Sequence, residues 1–194
     1  MPIPSSVLER RVGTLQGVLL LLPITTAVMG VVVLAPILPR MQVYFASTSH
    51  AEYLVPMVLT LPGLCIALLS PVAGALVDFC GRRRTLIAAL AMFAALGVLP
   101  AILFDLRAII VTRILLGAME AVTLTASTTL IGDYFRGADR EKWLAYQSAL
   151  ANVAATVLFA ASGALGNISW RAPFSLYALG LLFAAGLLLW TWEP

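Results

Sequence analysis

Six long apolar runs are the feature of this sequence that most constrains its fold. Each is about 20 residues or longer, and short polar stretches separate them: Thr14–Leu38, Tyr53–Val77, Thr85–Phe104, Ala108–Ile131, Leu144–Gly166 and Pro173–Trp192. Because a helix rises about 1.5 Å per residue, each run can cross ~30 Å of hydrocarbon. Membrane-spanning strands would instead need alternating segments of about ten residues. We therefore predict an all-α, integral membrane six-helix bundle that forms one transmembrane domain over residues 1–194.

The composition supports a surface in contact with lipid and argues against other classes of protein. Hydrophobic residues make up 61% of the chain and charged residues 11%, whereas soluble domains have about 45–50% and ~25%. The two cysteines, Cys65 and Cys80, form neither a CxxC motif nor a Cys/His cluster, so we predict no metal site and no cofactor. The basic residues lie between the apolar runs rather than on one face, which does not favour nucleic-acid binding.

The distribution of basic residues predicts how the chain is oriented in the membrane. Eight of them precede the first run or lie in the second and fourth loops: Arg10, Arg11, Arg82, Arg83, Arg84, Arg136, Arg140 and Lys142. Only three belong to the opposite side: Arg40, Arg107 and Arg171. Because cytoplasmic loops are enriched in Lys and Arg, this bias predicts that both termini are cytoplasmic, in a plasma or inner cell membrane.

Polar residues inside the runs indicate which helices line a hydrated site. The fourth run contains Arg113, Glu120 and several hydroxyls, the fifth contains Gln147 and Asn152, and the first contains Thr25 near its middle. Polar groups at membrane depth must face protein or water. The first, fourth and fifth runs are therefore predicted to line a wet site. The third and sixth, almost without internal polar atoms, are predicted to face lipid.

The loop between the second and third runs carries the most informative motif. It reads from Gly74 through Asp78, Gly81, Arg82 and Arg83, and it resembles the G-x-x-x-D-[RK]-x-G-R-[RK] signature of the major facilitator superfamily. Two further segments are similar to family patterns: Arg113–Gly117, which reads R-x-x-x-G, and Trp170–Arg171 at the start of the sixth run. The resemblance covers nearly the whole chain. It corresponds to the amino-terminal half of a family member, which usually has twelve spans in two halves, each built from two inverted three-helix repeats.

The resemblance implies a role in conformational gating for the loop residues Gly74, Asp78, Gly81, Arg82 and Arg83. We expect the glycines to allow a tight turn and a close helix approach.

The family also has an acidic partner for this loop at the cytoplasmic end of the fourth helix, where this chain has Asp133. We hypothesise that Asp78, Arg82 and Asp133 form a charge cluster that holds the outward-open state. An ordinary basic loop would explain the arginines, but not the spacing of the glycines and Asp78. Phe79 stands where the signature has Lys or Arg, which weakens the charge network of the loop.

Four residues are candidates for proton coupling or substrate binding: Glu120, Arg113, Asn152 and Thr25. Glu120 lies about 18 Å below the start of its run, near the bilayer midplane, where a carboxyl is a functional candidate by default. The alternative is a structural carboxyl. Arg113 lies two turns from Glu120 on about the same face, and the alternative is an arginine that snorkels outward. For Asn152 the alternative is interhelical hydrogen bonding.

These features predict a transporter that moves a small solute by alternating access around a midplane site. We expect secondary active, proton-coupled efflux by antiport, although the fifth run lacks the Gly-Pro pair typical of the family's proton antiporters. A truncated or regulatory half-transporter without activity of its own is the alternative. An intramembrane enzyme is a remote one, because the only histidine, His50, lies in a loop and no GxSxG motif occurs.

The expected partners are the lipid bilayer, a small-molecule substrate, protons and a second six-helix half. That half could be fused, separate, or a second copy in a parallel homodimer. The reason is that a half left alone in lipid is expected to expose Glu120 and Arg113 to hydrocarbon. No nucleic-acid partner is expected.

Overall fold

A computed structural model describes residues 13–192, and this range contains helices and turns but no β-strand. Six helical segments are long and apolar enough to cross a membrane, and we number them spans 1 to 6 in chain order: Thr14–Tyr44, Ala51–Cys80, Arg82–Ala101, Leu106–Tyr134, Gly137–Ile168 and Ala172–Trp190. The all-α six-helix class predicted from the sequence is confirmed. Arg10 and Arg11, used for the orientation, lie outside the described residues.

Three of the spans are single α-helices and three are divided. Spans 2, 4 and 5 are the continuous helices α4 (Ala51–Cys80), α6 (Leu106–Tyr134) and α7 (Gly137–Ile168). Span 1 comprises α1 (Thr14–Leu21), α2 (Ile24–Val32), a 3₁₀ turn (Ala35–Ile37) and α3 (Leu38–Tyr44). Span 3 is α5 (Arg82–Val98) followed by a 3₁₀ turn (Leu99–Ala101), and span 6 is a 3₁₀ segment (Ala172–Ala178) followed by α8 (Leu179–Trp190). Span 1 breaks at Pro23 and Pro36, because proline lacks the N–H that continues a helix.

The helices extend beyond the apolar runs that predict them. Span 1 continues to Tyr44 rather than ending near Leu38, and span 5 begins at Gly137 rather than near Leu144. The roughly two additional turns of span 5 carry charged, exposed residues. Helical hydrogen bonding can continue outside the hydrocarbon, whereas hydropathy detects only the apolar part of a helix.

Span 4 lies at the centre of the bundle. It packs most extensively against spans 2 and 3, and half of its most apolar stretch is buried. Its helix begins at Asp105, whose carboxylate accepts hydrogen bonds from the backbone N–H groups of Arg107 (3.2 Å) and Ala108 (3.3 Å). Such a cap satisfies amides that have no partner within the helix. Two apolar clusters, one toward each membrane face, pack around this helix.

Spans 2 and 5 are the most exposed helices of the bundle. In their most apolar stretches 17% and 22% of the residues are buried, against 39% in spans 3 and 6. From their lack of polar atoms, spans 3 and 6 were predicted to be the lipid-facing helices, but spans 2 and 5 are more exposed. Hydropathy reports how apolar a helix is, but not how many of its neighbours belong to the same six-helix unit. Spans 2 and 5 therefore present the largest uncovered surfaces of the described residues.

Candidate functional site

A stripe of buried polar residues runs along span 4. Arg113, Glu120, Thr123 and Ser127 are all completely buried, with 0% exposure. Their spacing of seven, three and four residues places them on one side of the helix. The expectation that an isolated half would expose Glu120 and Arg113 to hydrocarbon is therefore wrong. The sequence shows that these residues share a face, but only the packing shows that other spans of the same half cover it.

Arg113 is held by spans 3 and 6. Its Nη2 donates to the backbone carbonyl of Gly97 at 3.2 Å and lies 3.5 Å from that of Leu96. Its guanidinium also lies over the rings of Phe174 and Tyr177, with centroids at 5.3 and 5.0 Å. Such cation–π contacts are strongest where water is excluded. Complete burial excludes the snorkelling interpretation of Arg113.

Glu120 occupies a site between spans 1, 2 and 4. Neither of its carboxyl oxygens has a hydrogen-bond partner, and no ion pair within 4 Å joins it to Arg113. The carboxyl lies directly against Gly30, where an added Cβ would be 2.6 Å from Oε1. Cys65 of span 2 is close enough to interact with it electrostatically. A buried carboxyl without a fixed partner is unusual, because burial removes the hydration that stabilises its charge.

The C-terminal half of the stripe, at Ser127, forms interhelical hydrogen bonds. The hydroxyl of Ser127 donates to the Leu20 carbonyl at 2.8 Å, and Gln147 Nε2 donates to Ser127 Oγ at 3.3 Å. Spans 1, 4 and 5 are thereby joined at one point. The Thr123 hydroxyl, one turn from Glu120, has no hydrogen-bond partner.

The other two candidates lie apart from Glu120 and Arg113. Thr25 is nearly buried, and its hydroxyl donates to the Leu22 carbonyl of its own span at 2.8 Å. Asn152 is exposed and donates to the Ser148 carbonyl at 2.9 Å. With Ser148 and Thr156 it forms an exposed polar row on span 5. The structure thus separates the four candidates into a buried pair, a self-bonded hydroxyl and a surface amide.

The loop between spans 2 and 3 brings three predicted residues together at one end of the bundle. Arg82 donates to Asp78 Oδ1 from Nε (3.2 Å) and Nη2 (3.0 Å), and from Nη1 to Asp133 of span 4. We call this group the charge cluster. Its Asp133 side chain is 24% exposed, whereas that of Asp78 is 65% exposed. Gly81, with φ 90° and ψ 131°, forms the one-residue turn that allows Arg82 to start the next helix.

Two residues of the motif are placed differently from the expectation. Arg83 does not join the charge cluster, but donates from Nε to Thr191 Oγ1 (3.0 Å) and from Nη2 to the Leu188 carbonyl (2.8 Å) at the end of span 6. Carbonyls at a helix end lack intrahelical donors, which suits a cation. The expected close helix approach at Gly74 is absent, because an added Cβ would lie 4.0 Å from its nearest neighbour, Thr125 Cγ2. Gly74 is half-buried, and a methyl group there would make only an ordinary van der Waals contact with span 4.

Three residues of the site were missed by the sequence reasoning: Gly30, Gly97 and Tyr177. The two glycines lie where a side chain has no space, against Glu120 and against the Tyr177 ring. A glycine inside an apolar run is a signal of close helix packing that could have pointed to both. For Tyr177 no signal was available, because aromatic residues are common near the ends of membrane helices.

The fold and site together define a multi-pass helical membrane protein with a buried carboxyl midway along span 4 and a charge cluster at one end of the bundle. A family model described as Major Facilitator Superfamily matches residues 20–194. The chain therefore belongs to the major facilitator superfamily of membrane transporters. The resemblance to the amino-terminal half of such a transporter is confirmed.

Two curated relatives are similar to this chain. Both are described as the uncharacterized MFS-type transporter EfpA, from Mycobacterium tuberculosis strains CDC 1551 / Oshkosh and ATCC 25618 / H37Rv. Each is 27% identical over 140 residues, which is 71% of this chain and 26% of the relative. The matched segment thus spans about a quarter of the length of these relatives.

The charge cluster makes a testable prediction. Asp133→Asn should reduce the transport rate about tenfold, because the half-buried guanidinium of Arg82 loses an ionic partner, at a cost of about 1–2 kcal/mol in this partly hydrated site. Asp78→Asn should have a smaller effect, since Asp78 is more exposed. The measurement is uptake per inserted protein in proteoliposomes. Asp139→Asn is the control, because that carboxylate pairs only with exposed Lys142 at 3.5 Å. Equal rates in all three variants would remove the charge cluster from the mechanism.

Proposed function

We propose that this chain forms the amino-terminal half of a secondary transporter that exports a small solute in exchange for protons. The observation that carries the proposal is Glu120, which is completely buried near mid-membrane, has no hydrogen-bond partner and lies against Gly30 of span 1. An ionisable residue at membrane depth is a functional candidate by default.

Alternating access would give this carboxyl its function. Sealed in a dry bundle, a carboxyl is stabilised by holding a proton, and exposed to water it is stabilised by releasing it. A conformational change that hydrates Glu120 first from one side and then from the other would move protons across the membrane. Protonation and conformation are then linked, since each biases the other. The charge cluster would stabilise one of the two conformations.

The exposed polar row on span 5 supports a solute pathway outside this half. Ser148, Asn152 and Thr156 lie on the surface of the bundle, and polar side chains at membrane depth must face protein or water. A second six-helix half, fused or separate, would cover them and enclose a hydrated pathway. In this arrangement Asn152 contacts the solute, while Glu120 and Arg113 act on the proton inside the half.

We further propose that the loops joining spans 2–3 and 4–5, and both termini, lie in the cytoplasm of a cell membrane. The bias of basic residues supports this orientation. In a cysteine-free background, cysteines at His50 and Asn167 should react with an impermeant thiol reagent added outside intact cells, and one at Ala138 should not. Reaction of a cysteine at Ala138 in sealed cells would show that the orientation proposed here is wrong.

The function itself is tested in proteoliposomes with an imposed pH gradient and a panel of radiolabelled small solutes. The gradient should drive at least one solute to accumulate on the side of higher proton concentration, as antiport requires. Collapse of the gradient by a protonophore should abolish accumulation. Accumulation that persists without any gradient of protons would contradict proton coupling.

A further inference from the structure

Tyr177 of span 6 is an aromatic side chain held by contacts on several sides. It is completely buried, and its hydroxyl donates to the Met29 carbonyl of span 1 at 3.0 Å. Its ring rests on Gly97 of span 3, where an added Cβ would overlap the ring atoms. Phe93, one turn before Gly97 on span 3, also packs against the ring, with ring centroids 5.4 Å apart. Contacts from spans 1 and 3 therefore hold the ring in one position.

The Tyr177 side chain contacts both Arg113 and the segment of span 1 that packs against Glu120. The Arg113 guanidinium lies 5.0 Å from the ring centroid. The hydroxyl reaches Met29, the residue next to Gly30, and the Glu120 carboxyl lies against Gly30. Tyr177 consequently extends from Arg113 to the segment that packs on Glu120.

Arg113 and Glu120 are separated although they share a face of one helix. Seven residues correspond to about 10 Å of rise, a distance that the extended side chains of arginine and glutamate can together span. Side chains of a helix point toward its N-terminus, so Glu120 points toward Arg113, while Arg113 points away from Glu120. The carbonyl of Gly97 and the rings of Phe174 and Tyr177 hold Arg113 in that direction. No ion pair forms between them, which leaves Glu120 without a fixed cation.

We infer that Tyr177 is a positioning residue that holds Arg113 away from Glu120, so that the carboxyl exchanges a proton instead of being locked in an ion pair. The inference deepens the proposed function and rests on Glu120 as the proton carrier. Three titratable or charged groups face Glu120 from the packed spans: Arg113 of span 4, Cys65 of span 2 and Tyr177 of span 6. Of these, Arg113 carries the positive charge and can stabilise the carboxylate if it moves closer.

The test measures the protonation of Glu120 directly and without transport. Infrared spectra of the protein in liposomes are recorded as a function of pH, and the protonated-carboxyl band is assigned to Glu120 by its loss in Glu120→Gln. In Tyr177→Leu the Arg113 guanidinium loses the nearer of its two rings, and the space left by that ring allows it to approach the carboxylate. The pH at which the band disappears should then fall by about one unit or more, as for a carboxyl that gains a cation within ~4–6 Å.

Three further variants separate positioning from packing. Tyr177→Phe keeps the ring, so the band should titrate close to its position in the original protein. Phe93→Leu removes a buried ring of the same cluster that does not contact Arg113, and it should not lower the titration. Tyr177→Leu combined with Arg113→Gln should lose the shift, because the approaching cation is gone. If Tyr177→Leu yields no folded protein, Tyr177→Met fills more of the space and takes its place.

Each outcome decides between the possibilities. An unshifted band in Tyr177→Leu or Tyr177→Met, an equal shift in Phe93→Leu, or a shift that survives Arg113→Gln would overturn the inference. A full shift in Tyr177→Phe would also overturn it, since the hydroxyl rather than the ring would then be responsible. If instead the band shifts as expected while Glu120→Gln still supports gradient-driven transport, the positioning role stands and the proposed proton-carrier function fails.

Discussion

Glu120→Gln should abolish transport driven by a pH gradient and leave solute binding intact. Glutamine has almost the same shape as protonated glutamate, but its amide cannot take up or release a proton. The side chain occupies a site that is completely buried and offers no hydrogen-bond partner, so a neutral replacement preserves packing. Gradient-driven uptake into proteoliposomes should fall to the level of protein-free liposomes. Exchange of labelled for unlabelled solute, which needs no net proton movement, should continue.

A matched control is available in the same chain. Glu52 and Glu141 are both exposed, and their conversion to glutamine removes one negative charge without affecting the buried stripe. Both variants should transport at the original rate. If Glu120→Gln still concentrates solute against a gradient, Glu120 is a structural carboxyl and another group must carry the proton.

Gly117→Ala should destabilise the bundle by about 2 kcal/mol and lower its melting temperature by roughly 5 °C. An added Cβ would lie 2.7 Å from Cα of Pro62 and 2.8 Å from Cβ of Cys65. Because the obstacle includes backbone, span 2 must move away from span 4, and overpacking of this kind typically costs about 1–3 kcal/mol. The movement also opens the wall of the Glu120 site. Thermal unfolding in detergent, followed by circular dichroism, measures the change.

Gly63→Ala is the control for this substitution. It lies on the same helix as Pro62, and an added Cβ there has no neighbour within 4 Å. Alanine is the better helix former by about 1 kcal/mol, so this variant should be as stable as the original protein or slightly more stable. An unchanged melting temperature in Gly117→Ala would show that spans 2 and 4 pack less rigidly than these distances indicate.

The six-helix class followed from the sequence because lipid imposes a strict rule. A chain in hydrocarbon must satisfy its backbone hydrogen bonds within each segment, which makes a long apolar run a helix whatever its neighbours are. The ends of spans 1 and 5 were misjudged because they lie outside the hydrocarbon, where that rule no longer applies.

The charge cluster was also within reach of sequence reasoning, since the motif and the position of Asp133 at a helix end placed Asp78, Arg82 and Asp133 at the same membrane face. The sequence did not predict that the Arg83 side chain points away from the charge cluster, toward the end of span 6. Neighbouring residues of a helix point in directions about 100° apart, so Arg82 and Arg83 could not both face span 4. Which of them did so depended on the turn at Gly81.

The sequence by itself determined that this protein is a six-span helical membrane protein, that Glu120 and Arg113 share one face of span 4, and that its motif belongs to a transporter family. Only the tertiary structure decided that spans of the same half bury this face and that Tyr177 stands against Arg113. It also decided that Asn152 lies on the outside. The reason is physical: helix formation and insertion depend on each segment alone, whereas burial, ion pairing and hydrogen bonding depend on which helices become neighbours.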